Sequence, residues 1–200
     1  SRLYCGIYGE DQGSAQIWKL EGAKWEVIYS AEKLGQPFNR VNALTVWKDR
    51  LVAGVGVWGH PGHGGVLMFD LNGASTQCEF LPIQFGLTEV VDCLAVWQNQ
   101  LVAGLAAGAS DYSSAVVFSG DGGPWKTVGM PVKHAGVYCL LSHQDSLYAG
   151  TWNRYLGEGE GVGIFKLSAK GWQALDGEGH ALNIAAASTM VMTLTSTPGG

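Results

Sequence analysis

Two hundred residues, 46% hydrophobic and only 14% charged, are enough to bury one sizeable core, and they exclude a disordered chain. The 30 glycines have no three-residue period, which excludes collagen. Twelve basic against 17 acidic residues give a net charge of −5, the opposite sign to a general binder of nucleic acid or anionic membrane.

The chain opens Ser1-Arg2-Leu3 with no Met, basic leader or long apolar stretch, and reads as a domain of a longer chain or a processed product. Leu3–Tyr8 has the pattern of a strand, Ala15–Leu20 that of the next, and a further strand opens at Trp25. From Val41 to Trp47 apolar residues fall on both faces, with Val41, Ala43 and Thr45 on one and Asn42, Leu44 and Val46 on the other. That predicts a strand buried on both sides. A three-residue turn over 48–50 follows, with Asp49 at its centre, where a side chain tolerant of left-handed backbone belongs. Next come a strand over Leu51–Gly54, a glycine-rich loop, a third strand over Gly65–Leu71 and a fourth near Cys78 and Phe80.

The same order returns twice. Val91–Trp97, a turn at Asn99 and Leu101–Gly104 lead to Ala115–Ser119 and a strand opening at Trp125. Val137–His143, a turn at Asp145 and Leu147–Gly150 lead to Gly163–Leu167 and a strand opening at Trp172. The starts lie 50 and 46 residues apart, and Arg2–Gly6 precedes its copy Arg50–Gly54 by 48. The third strands each carry an aromatic residue at a matching place: Trp18, Phe69, Phe118 and Phe165. At the end of the chain, Ala181–Ala187 resembles another first strand and Met190–Ser196 another second strand. The first of these, set beside Leu3–Tyr8, would complete a unit from both termini and remove two sheet edges.

Four short strands per 40 to 50 residues, with no 3.6-residue period, resemble the β-propeller repeat superfamily over nearly the whole chain. The Gly-His and Trp-Asp pairs of WD40 blades and the double glycine of kelch blades are absent. Ser119–Trp125 is similar to the Asp-box of sialidase-type propellers, but it is one residue short and unrepeated. The resemblance implies an all-β chain forming a single β-propeller domain over 1–200, with about four to five four-stranded blades. Its units span approximately 1–40, 41–90, 91–136 and 137–180, with 181–200 a partial one.

The four cysteines, Cys5, Cys78, Cys93 and Cys139, form no Cys-x-x-Cys pair, and three lie in apolar runs. They read as reduced and buried, which fits a cytoplasmic setting. Cys93 and Cys139 should occupy equivalent positions in adjacent units, too far apart for a disulfide.

Gly54-Val-Gly56-Val-Trp-Gly59 spells the dinucleotide fingerprint, yet it falls inside a repeated strand with no helix to follow, so no cofactor is expected. His60-Pro-Gly-His63 is the best metal-like pair. It has no third ligand nearby, and a Pro-Gly loop turn explains it, so no metal is expected either. Glu158 and Glu160 are a carboxylate pair of the kind that does acid–base work or holds calcium, but they sit in a glycine-rich loop that would hold them poorly in position, so they read as a solvated loop.

Trp18, Trp25, Trp125 and Trp172 recur at equivalent places and should pack between units, and Trp47 and Trp97 end the first strands. Trp58 and Trp152 stand where a second strand runs into a long loop with polar company. His60 and His63 accompany Trp58; Asn153, Arg154 and Tyr155 accompany Trp152. Asp111 and Tyr112 lie in the corresponding loop of the third unit. An aromatic platform among polar groups suits recognition of a sugar or peptide.

No catalytic constellation stands out. The expected function is therefore a non-enzymatic recognition module that binds a protein or glycan on the loop-rich face, with neither nucleic acid nor membrane as partner. The alternatives are a sialidase-like or lyase-like enzyme drawing residues from several blades, and a purely structural assembly unit, whether as a homo-oligomer or as part of a longer chain.

Overall fold

A computed structural model describes residues 3–57, 59–60, 62–71, 78–83, 88–107, 116–119, 124–128, 136–152 and 163–175. These residues are all-β apart from one 3-10 turn at Glu32–Leu34, and their strands form three antiparallel sheets. Among them no helix is long and apolar enough to cross a membrane. β1 (Leu3–Ile7), β2 (Gln16–Glu21) and β3 (Lys24–Ser30) make a three-stranded sheet. β4 (Arg40–Trp47), β5 (Arg50–Gly56), β6 (Gly65–Asp70) and β7 (Cys78–Pro82) form a meander. A single bridge, Gly56 opposite Val90, ties it to a second meander. That one comprises β8 (Thr88–Trp97), β9 (Gln100–Ala107), β10 (Val116–Ser119) and β11 (Lys126–Thr127). The third sheet is β12 (Gly136–His143), β13 (Ser146–Trp152), β14 (Gly163–Ser168) and β15 (Gly171–Ala174).

The tight turns are shorter than their sequence suggests. Trp47 pairs with Arg50, and Trp97 with Gln100, so two residues close each hairpin and not three. Both central residues take positive φ, at 48° and 58° for Lys48 and Asp49 and at 48° and 62° for Gln98 and Asn99. That is the type I′ turn, whose twist matches the strands it joins. Gln144 and Asp145 repeat it.

First strands also depart from simple alternation. Between Val41 and Ala43, Val91 and Cys93, and Val137 and Cys139 the register shifts, leaving Asn42, Asp92 and Tyr138 as the extra residue of a β-bulge. Asn42 and Val46 are exposed, against the expectation of a strand covered on both sides. The aromatic residues of the third strands do not share one position. Trp18 lies opposite Cys5, and Phe165 opposite the equivalent Ala149. Phe69 lies opposite Leu51, two residues along, and Phe118 opposite Val102, one step out of register.

The core lies between successive units of three or four strands, the two meanders of the central sheet counting as two. Ile17, Tyr29 and Phe38 pack against Leu51, Val55, Leu67 and Phe69, with the Tyr29 and Phe69 rings edge-to-face at 5.8 Å. On the other side of β5, Val52 joins Trp47, Val66 and Met68 against Val91, Leu101 and Leu105. Cys93, Ala95 and Val102 then meet Val137, Leu140, Leu147 and Ala149. Alternate residues of one strand thus serve two interfaces. A glycine marks each of them. A Cβ on Gly6, Gly54 or Gly104 would lie 2.5, 2.8 or 2.7 Å from Cγ1 of Val41, Val91 or Val137 in the strand unit that follows, so the backbone approaches as closely as a missing side chain allows.

The fourth-strand tryptophans divide. Trp125 and Trp172 pack against the unit before their own, whereas Trp25 is 43% exposed, contrary to the expectation that all of them pack between units. Trp18 is half-buried, its indole donating to Oε1 of Gln16 at 3.0 Å. All four cysteines are free, but only Cys93 is buried. Cys5 is exposed, and Cys78 and Cys139 are half-covered, so burial fails as a general reading of the thiols. Cys93 and Cys139 do hold equivalent places, opposite Gly104 and Gly150.

Candidate functional site

The two edges of the stacked sheets are chemically unlike. One carries the two-residue I′ turns and, beside them, the connections between third and fourth strands, Leu71 N donating to Asp49 O at 3.1 Å. On the other edge the chain runs through longer loops, and backbone hydrogen bonds fix them to one another. Gly9, Gly13 and Ala15 of the β1–β2 loop donate to the carbonyls of Asn39, Pro37 and Phe38 in the connection from β3 to β4. Glu32 N returns a bond to Gly13 O, and Asn39 N reaches Gly56 O at the end of β5. Asn39 itself is buried, its amide donating to Glu10 O at 3.4 Å. A buried polar side chain of this kind stabilises a loop only when its bonds are made.

Onto this frame the loops bring side chains from different sheets. Gln12 Nε2 lies 3.4 Å from Nε2 of His60, joining the β1–β2 loop to the β5–β6 loop across 48 residues of sequence. His60 is turned outward by a bond from its own N–H to Val57 O, beside Gly59 at φ 78°. His63 is exposed one short turn further on, after Gly62 at φ 85°. Inward from the loops, Arg40 sits with Cζ 5.5 Å from the centre of the Tyr8 ring, a cation–π geometry. Beyond it the bulge residues meet, Asn42 Nδ2 donating to Asp92 Oδ1 at 2.7 Å. Bulges re-aim side chains, and here they turn an amide and a buried carboxylate toward each other between the two meanders of the central sheet.

Of the residues singled out from the sequence, His60 and His63 stand on this edge as expected. Trp152 is the last residue of β13, opposite Gly136, and its backbone therefore reaches the same edge. Trp58, Asp111, Tyr112, Asn153, Arg154 and Tyr155 lie outside the described residues, as do Glu158 and Glu160. Among the described residues no three His, Cys, Asp or Glu side chains come together as a metal site. Sequence reasoning missed Gln12, Tyr8, Arg40 and the Asn42–Asp92 pair. The only sequence signal for the pair was a polar residue at the second place of two copies of one repeat.

Chemically the edge offers hydrogen-bond donors and acceptors, an exposed aromatic ring at Tyr8 and two exposed imidazoles, His60 and His63. Such a set has the chemistry to exchange hydrogen bonds with a polar group. No protein-family model matches the chain, and no curated protein matches it.

Proposed function

We propose that the chain is a β-propeller-type repeat domain acting as a recognition module, with a protein or glycan ligand bound along the loop-bearing edge. The observation that carries the reading is the Gln12–His60 contact, which makes loops of successive sheets one surface. Further support comes from the loops between second and third strands, which differ in polar composition from unit to unit, whereas the I′ turns keep one two-residue form. Binding groups concentrate on loops held by a rigid scaffold. His60 and His63 give the surface hydrogen-bonding reach, and Trp58 and Trp152 supply its aromatic anchors. The test is a glycan array run beside a pull-down with the immobilised chain. A set of related ligands recovered by one of them, and lost on Gln12→Ala/His60→Ala, supports the assignment. Ligands retained in full by that variant would remove the loop edge from consideration.

A further inference from the structure

The outer face of the β1–β3 sheet repeats the face that the later sheets bury. On β5, Leu51 and Val55 are 2% and 0% exposed where they pack against β1–β3. Their counterparts on β1, Leu3 and Ile7, are 56% and 38% exposed. Register fixes the equivalence: Cys5 pairs with Trp18 as Ala53 pairs with Leu67 and Ala149 with Phe165. Val27 lies opposite Trp18 and is 39% exposed, and Trp25 is exposed beside it. A contiguous apolar face of this kind on a sheet built for stacking marks an interface.

The far end of the array carries the complementary half. The inner face of the β1–β3 sheet has Tyr4 opposite Lys19 and Gly6 opposite Ile17. The outer face of the β12–β15 sheet has Tyr148 opposite Lys166 and Gly150 opposite Ile164. Residue types and register are the same. The first set is in use: Ile17 is fully buried against β4–β7, and Gly6 takes the side chain of Val41. In the second set, Ile164 is half-covered and Lys166 reaches over the Tyr148 ring at 5.6 Å. Around Gly150 the near neighbour among the described residues is Cys139 of its own sheet, whereas Gly6, Gly54 and Gly104 are each filled by a valine of the strand unit that follows.

We propose that these two faces bind each other between molecules: the β1–β3 face of one copy seats on the Tyr148–Ile164 face of a second copy. Continuity with existing interfaces identifies the occupant. The four strand units make three contacts of this kind, and the two open faces carry the residues of both halves of the first apart from β4, whose Val41 has no counterpart on the β1–β3 sheet. Leu3, Ile7, Trp25 and Val27 stay exposed within a single copy, so its own described residues do not cover them. The contact is heterologous, so it propagates head to tail until a ring closes or a filament forms.

Sedimentation velocity over a concentration series, in reductant to keep Cys5 free, tests this with Val27→Glu on one face and Ile164→Glu on the other. The unaltered chain should shift to species of two or more copies as concentration rises. Each variant alone should sediment as a monomer, because every copy lacks one half of the contact. Mixed in equal amounts, the two should form dimers and nothing larger, since one intact half survives on each. If Ile164→Glu loses its β-sheet circular dichroism, Lys166→Glu replaces it in the same design. A chain that stays monomeric throughout, variants that assemble alone, or a mixture that stays monomeric would each overturn the proposal.

Discussion

The indole Nε1 of Trp47 donates a hydrogen bond to the backbone carbonyl of Asn99, 3.1 Å away in the I′ turn of the following unit. Trp97 does the same to Asp145 at 2.9 Å. The last residue of each of these first strands is thus latched to the next hairpin turn. In the following unit the position holds His143, which is exposed.

Trp97→Phe keeps most of the ring and removes the donor. It should lower unfolding free energy by about 0.5–1.5 kcal/mol, the net value of one hydrogen bond. Trp47→Phe should cost more, because Trp47 is 4% exposed and its bond is partly buried, whereas that of Trp97 is exposed. Urea denaturation of both variants measures the difference.

Gly54→Ala introduces a Cβ 2.8 Å from Val91 Cγ1 and 2.9 Å from the Val91 carbonyl oxygen. Side-chain repacking relieves the first contact, but the second involves backbone. The expected loss is about 1–3 kcal/mol. Val91→Ala in the same chain should recover only part of it, as a double-mutant cycle in urea would show.

The I′ turns leave stability to be gained. Lys48 and Asp49 both hold positive φ, where Asn-Gly is favoured. Lys48→Asn/Asp49→Gly should raise stability by about 0.5–1 kcal/mol, read as a higher melting temperature with ligand binding unchanged.

Burial raises the thiol pKa of Cys93 well above its ordinary value, with lesser help from Cys139 and Asp92, and burial also raises Cys139. The unfolded chain therefore loses these protons first as pH rises. Below about pH 8.5 both states keep them and stability is unaffected; above it the unfolded state binds fewer protons and stability falls. Tyr29, also raised by burial, adds to the loss above about pH 10. Urea titrations under reductant should show this decline from pH 8.5 upward, and Cys93→Ala should make it shallower. An equal slope in the variant would exclude Cys93 as a source.

Strand order was legible because each first and second strand carries a strong apolar pattern and each hairpin a residue tolerant of left-handed backbone. The bulges were not. An extra residue such as Asn42 looks like ordinary alternation until its partner strand is known, and with it went the Asn42–Asp92 bond. The aromatic alignment failed for a related reason: Phe118 and Phe69 look equivalent by distance from their glycine loops, but pairing with Val102 and Leu51 places them differently. The exposure of Trp25 and Cys5 was invisible because it depends on what lies beyond the first sheet, and a repeat pattern treats every unit as an interior one. On the site, the loop edge and its histidines followed from strand order, whereas Gln12 required knowing which loops meet.

Titration calorimetry with the recovered ligand most directly tests whether recognition resides on the loop edge, comparing the unaltered chain with Trp58→Ala, Trp152→Ala and the turn-edge variant Asp145→Gly. The two tryptophan variants should each weaken binding by about 1–3 kcal/mol, as loss of an aromatic anchor does, with little change in melting temperature. Asp145→Gly should bind as the unaltered chain does. Unchanged binding with sharply lower melting temperatures in both tryptophan variants would contradict the assignment and make Trp58 and Trp152 structural caps.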